Sequence, residues 1–461
     1  MASLRPRAFW AVLMPVALLL RLPLLAQPLW YDEAFTQRLV DIPLQNFLPA
    51  LLGDVHPPGY YLLARLSVSI LGMSNAALRL PSLLAGLGLI FLVYLLALLL
   101  HNDRAGAQLA AVLTAVLPAM LYYSSEARYP ALLACAVLVS LIALLSDRPA
   151  LFALATGLVA WFHSIGMAYV ALLVLLALAK RQPRWIMAGI GAAVLAGAWL
   201  PGLLSQSADV SDGFWLVETF PLWHLLTMTL RRAVPAPETL PLLWSLPLLL
   251  SLFGVWTSRR WIAQRPAWLI IAVALPALLW AVGQFWQPVY LARALIAPAL
   301  LLVIPWAWFL LRSTSGWRVV LAGALGFSIV VCLADLYATD RADGVDDIFQ
   351  TACANADYVY TTSTDMTITA MAYSRRPVVA WVGGNNLNQT LSLAARQAMA
   401  FDFNLPEMRP GEVCMVTLLT YFTTDNELAR IDEIRARYHP RVVMEHFRDD
   451  LFQYIVWRFH T

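Results

Sequence analysis

The chain has 461 residues, of which 61% are hydrophobic and 13% charged. So little polar surface cannot clothe a water-soluble globule, and the composition is that of a polytopic membrane protein. The formal net charge is only +3, and Lys and Arg occur in short clusters between apolar runs, a pattern that sets membrane topology and argues against nucleic acid as a partner.

The first apolar run, residues 8–25, comes after a short basic start with Arg5 and Arg7, as a secretory signal peptide would. It is longer than a usual signal core, and Leu25-Ala26-Gln27 is a poor cleavage site, so it reads as an uncleaved first span with its N-terminus in the cytoplasm. Arg21, near the far end, can snorkel to the interface or face the carboxylates of the next loop. Further spans are placed by apolar length at residues 80–100, 107–123, 131–145, 151–161, 165–178, 185–204, 240–256, 267–282, 294–311 and 319–336.

The loops between them alternate in character. One set carries "HNDR", "SDRP", "KRQPR", "SRRWIAQR" and "RSTSGWR"; the other carries "SSEARYP", "FHS", residues 205–239 and "QFWQPVYLAR". Basic short loops mark the cytoplasmic side, which places the first set inside. If "PPGYYLLARLSVSILG", residues 57–72, also crossed, every later basic cluster would face outward. It is therefore expected to lie along the outer leaflet, giving about eleven spans with residues 26–78 entirely outside.

After residue 338 the composition changes. "ATDRADGVDDIFQ" is acidic and polar. The remainder of the chain alternates β-rich runs ("ADYVYTT", "RPVVAWV", "EVCMVTLLTYF", "RVVMEHF", "LFQYIVWRF") with the helical pattern "DNELARIDEIRARY". The expected organisation is a transmembrane domain, residues 1–338, and then an extracytoplasmic α/β domain, residues 339–461. Cys135 and Cys332 fall in spans, where cysteine is usually a small hydrophobe. Cys353 and Cys414 both fall in the outer domain and are candidates for a disulfide. No compact metal or nucleotide-binding motif is present, and "WVGG", residues 381–384, reads as a strand end with a turn.

Ionisable groups gather at the outer bilayer edge from distant parts of the chain. They are Asp32 and Glu33 in "PLWYDEAFT", Asp54 and His56 in "DVHPPGYY", Glu126, Arg128 and Tyr129 in "SSEARYP", His163, and Arg293 after "QPVYLA". Each has a bland reading. Asp54 could cap the helix that the two prolines begin, Arg128 could merely pair with Glu126, and His163 could be a satisfied buried histidine. His56 precedes a proline and is expected in an extended segment, with Asp54 on the same side. Their joint occurrence at one depth is harder to dismiss, because charge near lipid is costly and tends to be retained for function.

The ordered motifs W-Y-D-E, D-V-H-P-P-x-Y-Y-L-L, L-R-L-P-S at Leu78 to Ser82 and S-x-E-A-R-Y resemble those of bacterial membrane glycosyltransferases of the C superfamily. The group in question is related to protein O-mannosyltransferases and to the aminoarabinose transferase of lipid A. The motifs cover about the first third of the chain. The resemblance implies a helical membrane fold and transfer of a sugar from a polyprenyl-phosphate carrier to an extracytoplasmic acceptor, with inversion, in the plasma membrane. It implies Asp32 and Glu33 as the catalytic pair, with Asp32 the general base and with Glu33 and Asp54 shaping or binding near the acceptor. His56 would support the loop or take a divalent ion; members of the family differ in metal use, so no metal is assigned. The leaving phosphate requires cations, for which Arg128 and Arg293 are the candidates, with Tyr129 as hydrogen-bond donor and Glu126 beside them. Gly59 departs from the pattern, because relatives carry a larger apolar residue there.

Two other readings use the same composition. A transporter or lipid flippase also keeps charges near the membrane, but here they cluster at the outer surface, few lie at mid-span, and no repeat is evident. A ligase or polymerase of glycan units would use a lipid-diphosphate donor.

Overall fold

A computed structural model of the chain describes residues 6–210, 241–285, 292–338, 341, 344–361, 364–380, 402–403, 408–420, 432, 434–449 and 452–461. Residues 211–239 of the long loop, 286–291 of "QFWQPVYLAR", "WVGG" and residues 425–431 of the acidic-basic helical pattern lie outside the described residues.

The helices in chain order are α1 (Pro6–Leu25), α2 (Tyr31–Asp41), α3 (Leu44–Leu52), α4 (Gly59–Leu71), α5 (Asn75–His101) and α6 (Arg104–Val116). They continue with α7 (Pro118–Tyr123), α8 (Pro130–Leu145), α9 (Pro149–Phe162), α10 (Gly166–Leu178), α11 (Pro183–Gly197) and α12 (Leu200–Val210). Beyond these come four long helices, Pro241–Gln264, Ala267–Phe285, Ile296–Arg312 and Ser315–Ala338. The described chain forms two compact units. The first comprises the described residues within Met1–Ala26, His56–Leu203 and Trp215–Ala338; the second comprises those within Gln27–Val55, Leu204–Phe214 and Thr339–Thr461.

The first unit is all helical, and its breaks arise from local sequence. Ser74 accepts the Ala77 N–H at 3.1 Å to start α5, and Asp103 accepts from Ala105 at 3.1 Å and Gly106 at 3.3 Å to start α6. Pro130, Pro149 and Pro183 occupy first positions of α8, α9 and α11, where no N–H is needed. The segment expected as one span at 107–123 is two helices, because Pro118 forces Leu117 out of helical geometry (φ −62°, ψ 122°). Likewise α11 and α12 meet at a bend of 45°.

Among the described residues, five helices are long and apolar enough to cross a membrane: α1, α5, Ala267–Phe285, Arg293–Arg312 and Gly316–Ala338. The bent α11–α12 pair makes six, and α4, α6, α8, α9 and α10 are shorter apolar helices of 10–17 residues. All eleven apolar segments are helical among the described residues, but not every one is long enough individually, since Pro118 divides 107–123 and α8, α9 and α10 are short. The centre of the unit is Arg293–Arg312, 89% buried over its apolar stretch, against 22% for the helix that ends at Ala338. That last helix turns Val319, Val320, Phe327 and Val330 outward, as a lipid-facing helix does. Similarly, α4 buries Tyr60, Tyr61, Ala64 and Ser67 and exposes Leu62, Leu66, Ile70 and Leu71.

The second unit is α/β. Its strands are β1 (Tyr358–Thr361), β2 (Val378–Ala380), β3 (Asp402–Phe403), β4 (Glu412–Thr420), β5 (Arg441–Asp449) and β6 (Phe452–His460), in sheet order β3-β2-β1-β4-β6-β5. β1 runs parallel to β2 and β4, and β3 runs parallel to β2. The β4–β6 and β6–β5 pairs are antiparallel. The helix Thr364–Tyr373 makes the crossover from β1 to β2. Alternation along β4 sends Cys414 and Val416 to one core with Phe349 and Val359, and Val413 and Met415 to another with Tyr360 and Trp457. All five β-rich runs of the sequence are strands, and the two-residue β3 is too short to leave a pattern.

Cys353 and Cys414 are joined in a disulfide with Cα atoms 5.4 Å apart and a sequence separation of 61, tying the turn after residues 348–352 to β4. Closing such a loop removes entropy from the unfolded chain. This unit also takes in Gln27–Val55, which composition alone groups with the membrane domain. The reason is packing, because α2 lies against the helix Thr364–Tyr373.

Candidate active site

In the first unit, side chains from four segments far apart in sequence meet around Arg128. Its guanidinium donates to the Tyr61 hydroxyl at 3.0 Å and lies 3.1 Å from Nε2 of His56. Arg128 is 3% exposed, so these contacts replace water. Its backbone is held too, since the Ser82 hydroxyl donates to the Arg128 carbonyl at 2.9 Å and lies 3.2 Å from the Tyr60 hydroxyl, which donates to Leu78 O at 2.8 Å. The motifs "PPGYY", "LRLPS" and "SSEARY" are therefore one interlocked structure. Glu126 is fully buried and Tyr129 nearly so.

His163 completes the cluster, its ring centroid 4.3 Å from that of Tyr129 and 5.4 Å from that of His56. Its Nδ1 accepts the Ile165 N–H at 3.1 Å, which requires that nitrogen to be unprotonated. Burial, and after it the fields of His56, Arg293 and Arg128, hold His163 well below the usual histidine range. The charge of Arg293 thus reaches this loop. With the folded value below the unfolded one, the unfolded chain takes up the proton first, so stability is lost as pH falls below about 6.5. Thermal unfolding of wild type is expected to steepen its pH dependence below that value, and His163→Gln should flatten it; identical profiles would exclude His163 as the source.

Two arginines missed as site supports brace this constellation. Arg79, wholly buried, donates to the carbonyls of Leu24 at 3.2 Å and Leu25 at 3.0 Å, capping the C-terminus of α1. Arg21 does not snorkel. It is wholly buried and donates to the Ser124 hydroxyl at 2.7 Å and to the carbonyls of Ala17 at 2.8 Å and Ala115 at 3.2 Å. The signal available in the sequence is an arginine facing an apolar run with hydroxyl residues at motif ends. Gly86 admits this contact, because a Cβ there would sit 2.0 Å from that of Ser124. Gly59 has the same logic, since a Cβ would meet the Trp161 carbonyl oxygen at 2.4 Å; its absence lets the start of α4 press on the end of α9.

The carboxylates of the segment after α1 belong to the second unit. The sequence suggests an extended "WYDEAF" segment, but α2 begins at Tyr31. Asp32 and Glu33 therefore lie in a first helical turn, where the helix dipole favours acidic side chains. They differ in environment, for Asp32 is half-buried and Glu33 fully buried. Glu33 faces Arg341 at 3.8 Å, an ion pair with both side chains out of solvent. Asp54, 7% exposed, lies just past α3, its N–H on Leu51 O at 3.1 Å. The N-cap position of α4 is taken by Pro58. Among the described residues no group of three or more His, Cys, Asp and Glu is arranged to hold a metal ion.

The sequence pattern of the family described as dolichyl-phosphate-mannose-protein mannosyltransferase matches residues 55–200. The structure is similar to that of ArnT from Cupriavidus metallidurans in the apo state, with TM-score 0.62, 15% identity and 98% of each chain covered. It is also similar to ArnT from the same organism bound to undecaprenyl phosphate, with TM-score 0.60, 14% identity and 97% of each chain covered. The apo oligosaccharyltransferase of Archaeoglobus fulgidus is similar at TM-score 0.53 and 12% identity, over 80% of this chain and 64% of that one. No curated protein sequence matches the chain significantly. The fold is the one seen in these ArnT and oligosaccharyltransferase structures, and the motifs "LRLPS" and "SSEARY" and nearly all of "DVHPPGYYLL" fall in the stretch that carries the mannosyltransferase family pattern, whereas "WYDE" lies before it.

Proposed function

We propose that the protein is a glycosyltransferase that moves a sugar from a polyprenyl-phosphate carrier to an extracytoplasmic hydroxyl acceptor by inverting single displacement. The observation that carries this reading is the buried Arg128 held in its fork geometry by Tyr61 and His56, with the positive field of Arg293 reaching His163 beside it. A desolvated arginine suits a phosphate, since a unit charge pair at ~4 Å and effective dielectric ~20 is worth roughly 4 kcal/mol before desolvation is subtracted. The ArnT of similar fold is described as bound to undecaprenyl phosphate, which supports a donor of that class.

In this reading Asp32 accepts the proton of the acceptor hydroxyl. The hydroxyl oxygen bonds to the anomeric carbon, and the bond from that carbon to the phosphate oxygen breaks. The phosphate leaves with the electron pair and is stabilised by Arg128, Arg293 and the Tyr129 hydroxyl. One base and no enzyme nucleophile give inversion. Asp54 shapes the acceptor side. In this reading the protein lies in the plasma membrane, and the distribution of basic loops supports an orientation with Asp32 and the C-terminal unit outside.

Two measurements test this. Purified protein is expected to retain a lipid-linked sugar whose mass fits a monophosphate carrier, and reconstituted protein is expected to transfer that sugar. A diphosphate carrier would instead indicate the ligase reading, and lipid movement without transfer the flippase reading. For sidedness, a cysteine at Met73 is expected to react with an impermeant thiol reagent applied outside, and one at Gln182 only after permeabilisation; both positions are exposed. Labelling of Gln182→Cys from outside would reverse the assigned topology and make residues 57–72 a true crossing.

A further inference from the structure

The carboxylate next to the proposed base is buried and anchored. Glu33 is fully buried against Arg341 at 3.8 Å, and Arg341 is the first described residue after the last long helix. A second tie lies just before α2, where Tyr373 donates its hydroxyl to Leu29 O at 2.7 Å and accepts the Leu29 N–H. Tyr373 ends the helix Thr364–Tyr373, against which α2 packs, and the buried side of α2 includes Ala34, Phe35 and Leu39. A third constraint is internal, the Thr36 hydroxyl donating to Asp32 O at 3.1 Å. The C-terminal segment thus grips α2 at its entry and through its first turn, the turn that bears Asp32, whose own side chain stays half exposed.

We infer that Arg341 and Tyr373 are positioning residues for the transfer reaction, and that the C-terminal α/β segment serves to hold the Asp32-bearing helix through Glu33 and Leu29. This rests on the reading of Asp32 as base. It gives Glu33 a role different from its neighbour's. Two adjacent positions on a helix point about 100° apart, so one carboxylate can be locked inward while the other remains available. A buried pair fixes orientation well because either charge left alone inside the unit is strongly unfavourable.

The test combines a structural and a kinetic readout on full-length protein. Arg341→Gln and Tyr373→Phe are expected to raise amide hydrogen exchange in peptides covering residues 29–41, a measurement that does not depend on activity. With the lipid-linked sugar donor, Arg341→Gln is expected to lower kcat roughly 10- to 100-fold, as loss of alignment does, with donor KM little changed. Removing both charges, in Glu33→Gln/Arg341→Gln, should recover exchange protection and part of kcat relative to Arg341→Gln alone, because no lone charge is left buried. Unchanged exchange in Arg341→Gln, or a selective rise in donor KM, would overturn the inference and make Arg341 a substrate ligand. A double variant much less active than Arg341→Gln would show that Glu33 itself carries chemistry. If Asp32→Asn turns over normally while Arg341→Gln still loosens residues 29–41, the holding role stands and the base assignment fails.

Discussion

Asp32→Asn is expected to lower turnover by about 10²–10⁴ while donor binding largely survives. Asparagine keeps the size and shape of the side chain but cannot take the acceptor's proton, so the loss falls on the transition state and not on the bound donor. The environment of Asp32 supports this assignment over its neighbour, since Asp32 is half exposed in the first turn of α2 whereas Glu33 is fully buried against Arg341. Glu33→Gln is expected to be intermediate, because it leaves the Arg341 guanidinium without its carboxylate and loosens the turn without removing the base. The measurement is sugar transfer by reconstituted variants at matched expression, with donor binding measured in parallel. Near-normal turnover in Asp32→Asn would mean that this carboxylate only marks the bilayer edge, and the base would have to be sought at Asp54.

Most of this arrangement is legible where the physics is one-dimensional. Apolar length finds every long helix, and period-two alternation finds β1, β2, β4, β5 and β6, because burial on one face leaves a pattern along the chain. Motif order brings "PPGYY", "LRLPS" and "SSEARY" to attention, and they do interlock through Tyr60, Ser82 and Arg128. What cannot be read is what depends on partners distant in sequence. Arg21 and Ser124 are 103 positions apart, and nothing near either announces the other. Arg341 lies in a run that reads as acidic linker, yet it neutralises Glu33. The helical state of "YDEAFTQRLVD" is also obscured, because its buried face is set by the helix Thr364–Tyr373, more than three hundred residues on, and not by a strong local start signal; Trp30 at the N-cap makes no side-chain hydrogen bond. The helix break at Pro118 has a local reason that the sequence does contain, a proline in mid-run.

Neutralising Arg128 is expected to act differently from neutralising Asp32. A phosphate contact exists in the bound donor and strengthens as the leaving group gains charge, so Arg128→Gln should weaken donor binding by roughly 10- to 100-fold, as loss of a charge-assisted hydrogen bond does, and lower the rate as well. Arg128→Lys keeps the charge but not the fork that reaches Tyr61 at 3.0 Å and His56 at 3.1 Å, and it should recover binding only in part. Because Arg128 is also buried structure, with its carbonyl on Ser82, thermal unfolding must be measured beside binding. Tyr61→Phe is the control, for it removes one support of the guanidinium while leaving the charge, and should raise the donor dissociation constant less than Arg128→Gln does. If Arg128→Gln folds normally and binds a polyprenyl-phosphate sugar as wild type does, the guanidinium serves the packing of His56 and Tyr61 alone. The phosphate would then have to be held by Arg293, whose charge already reaches His163, and Arg293→Gln would become the variant that loses the donor.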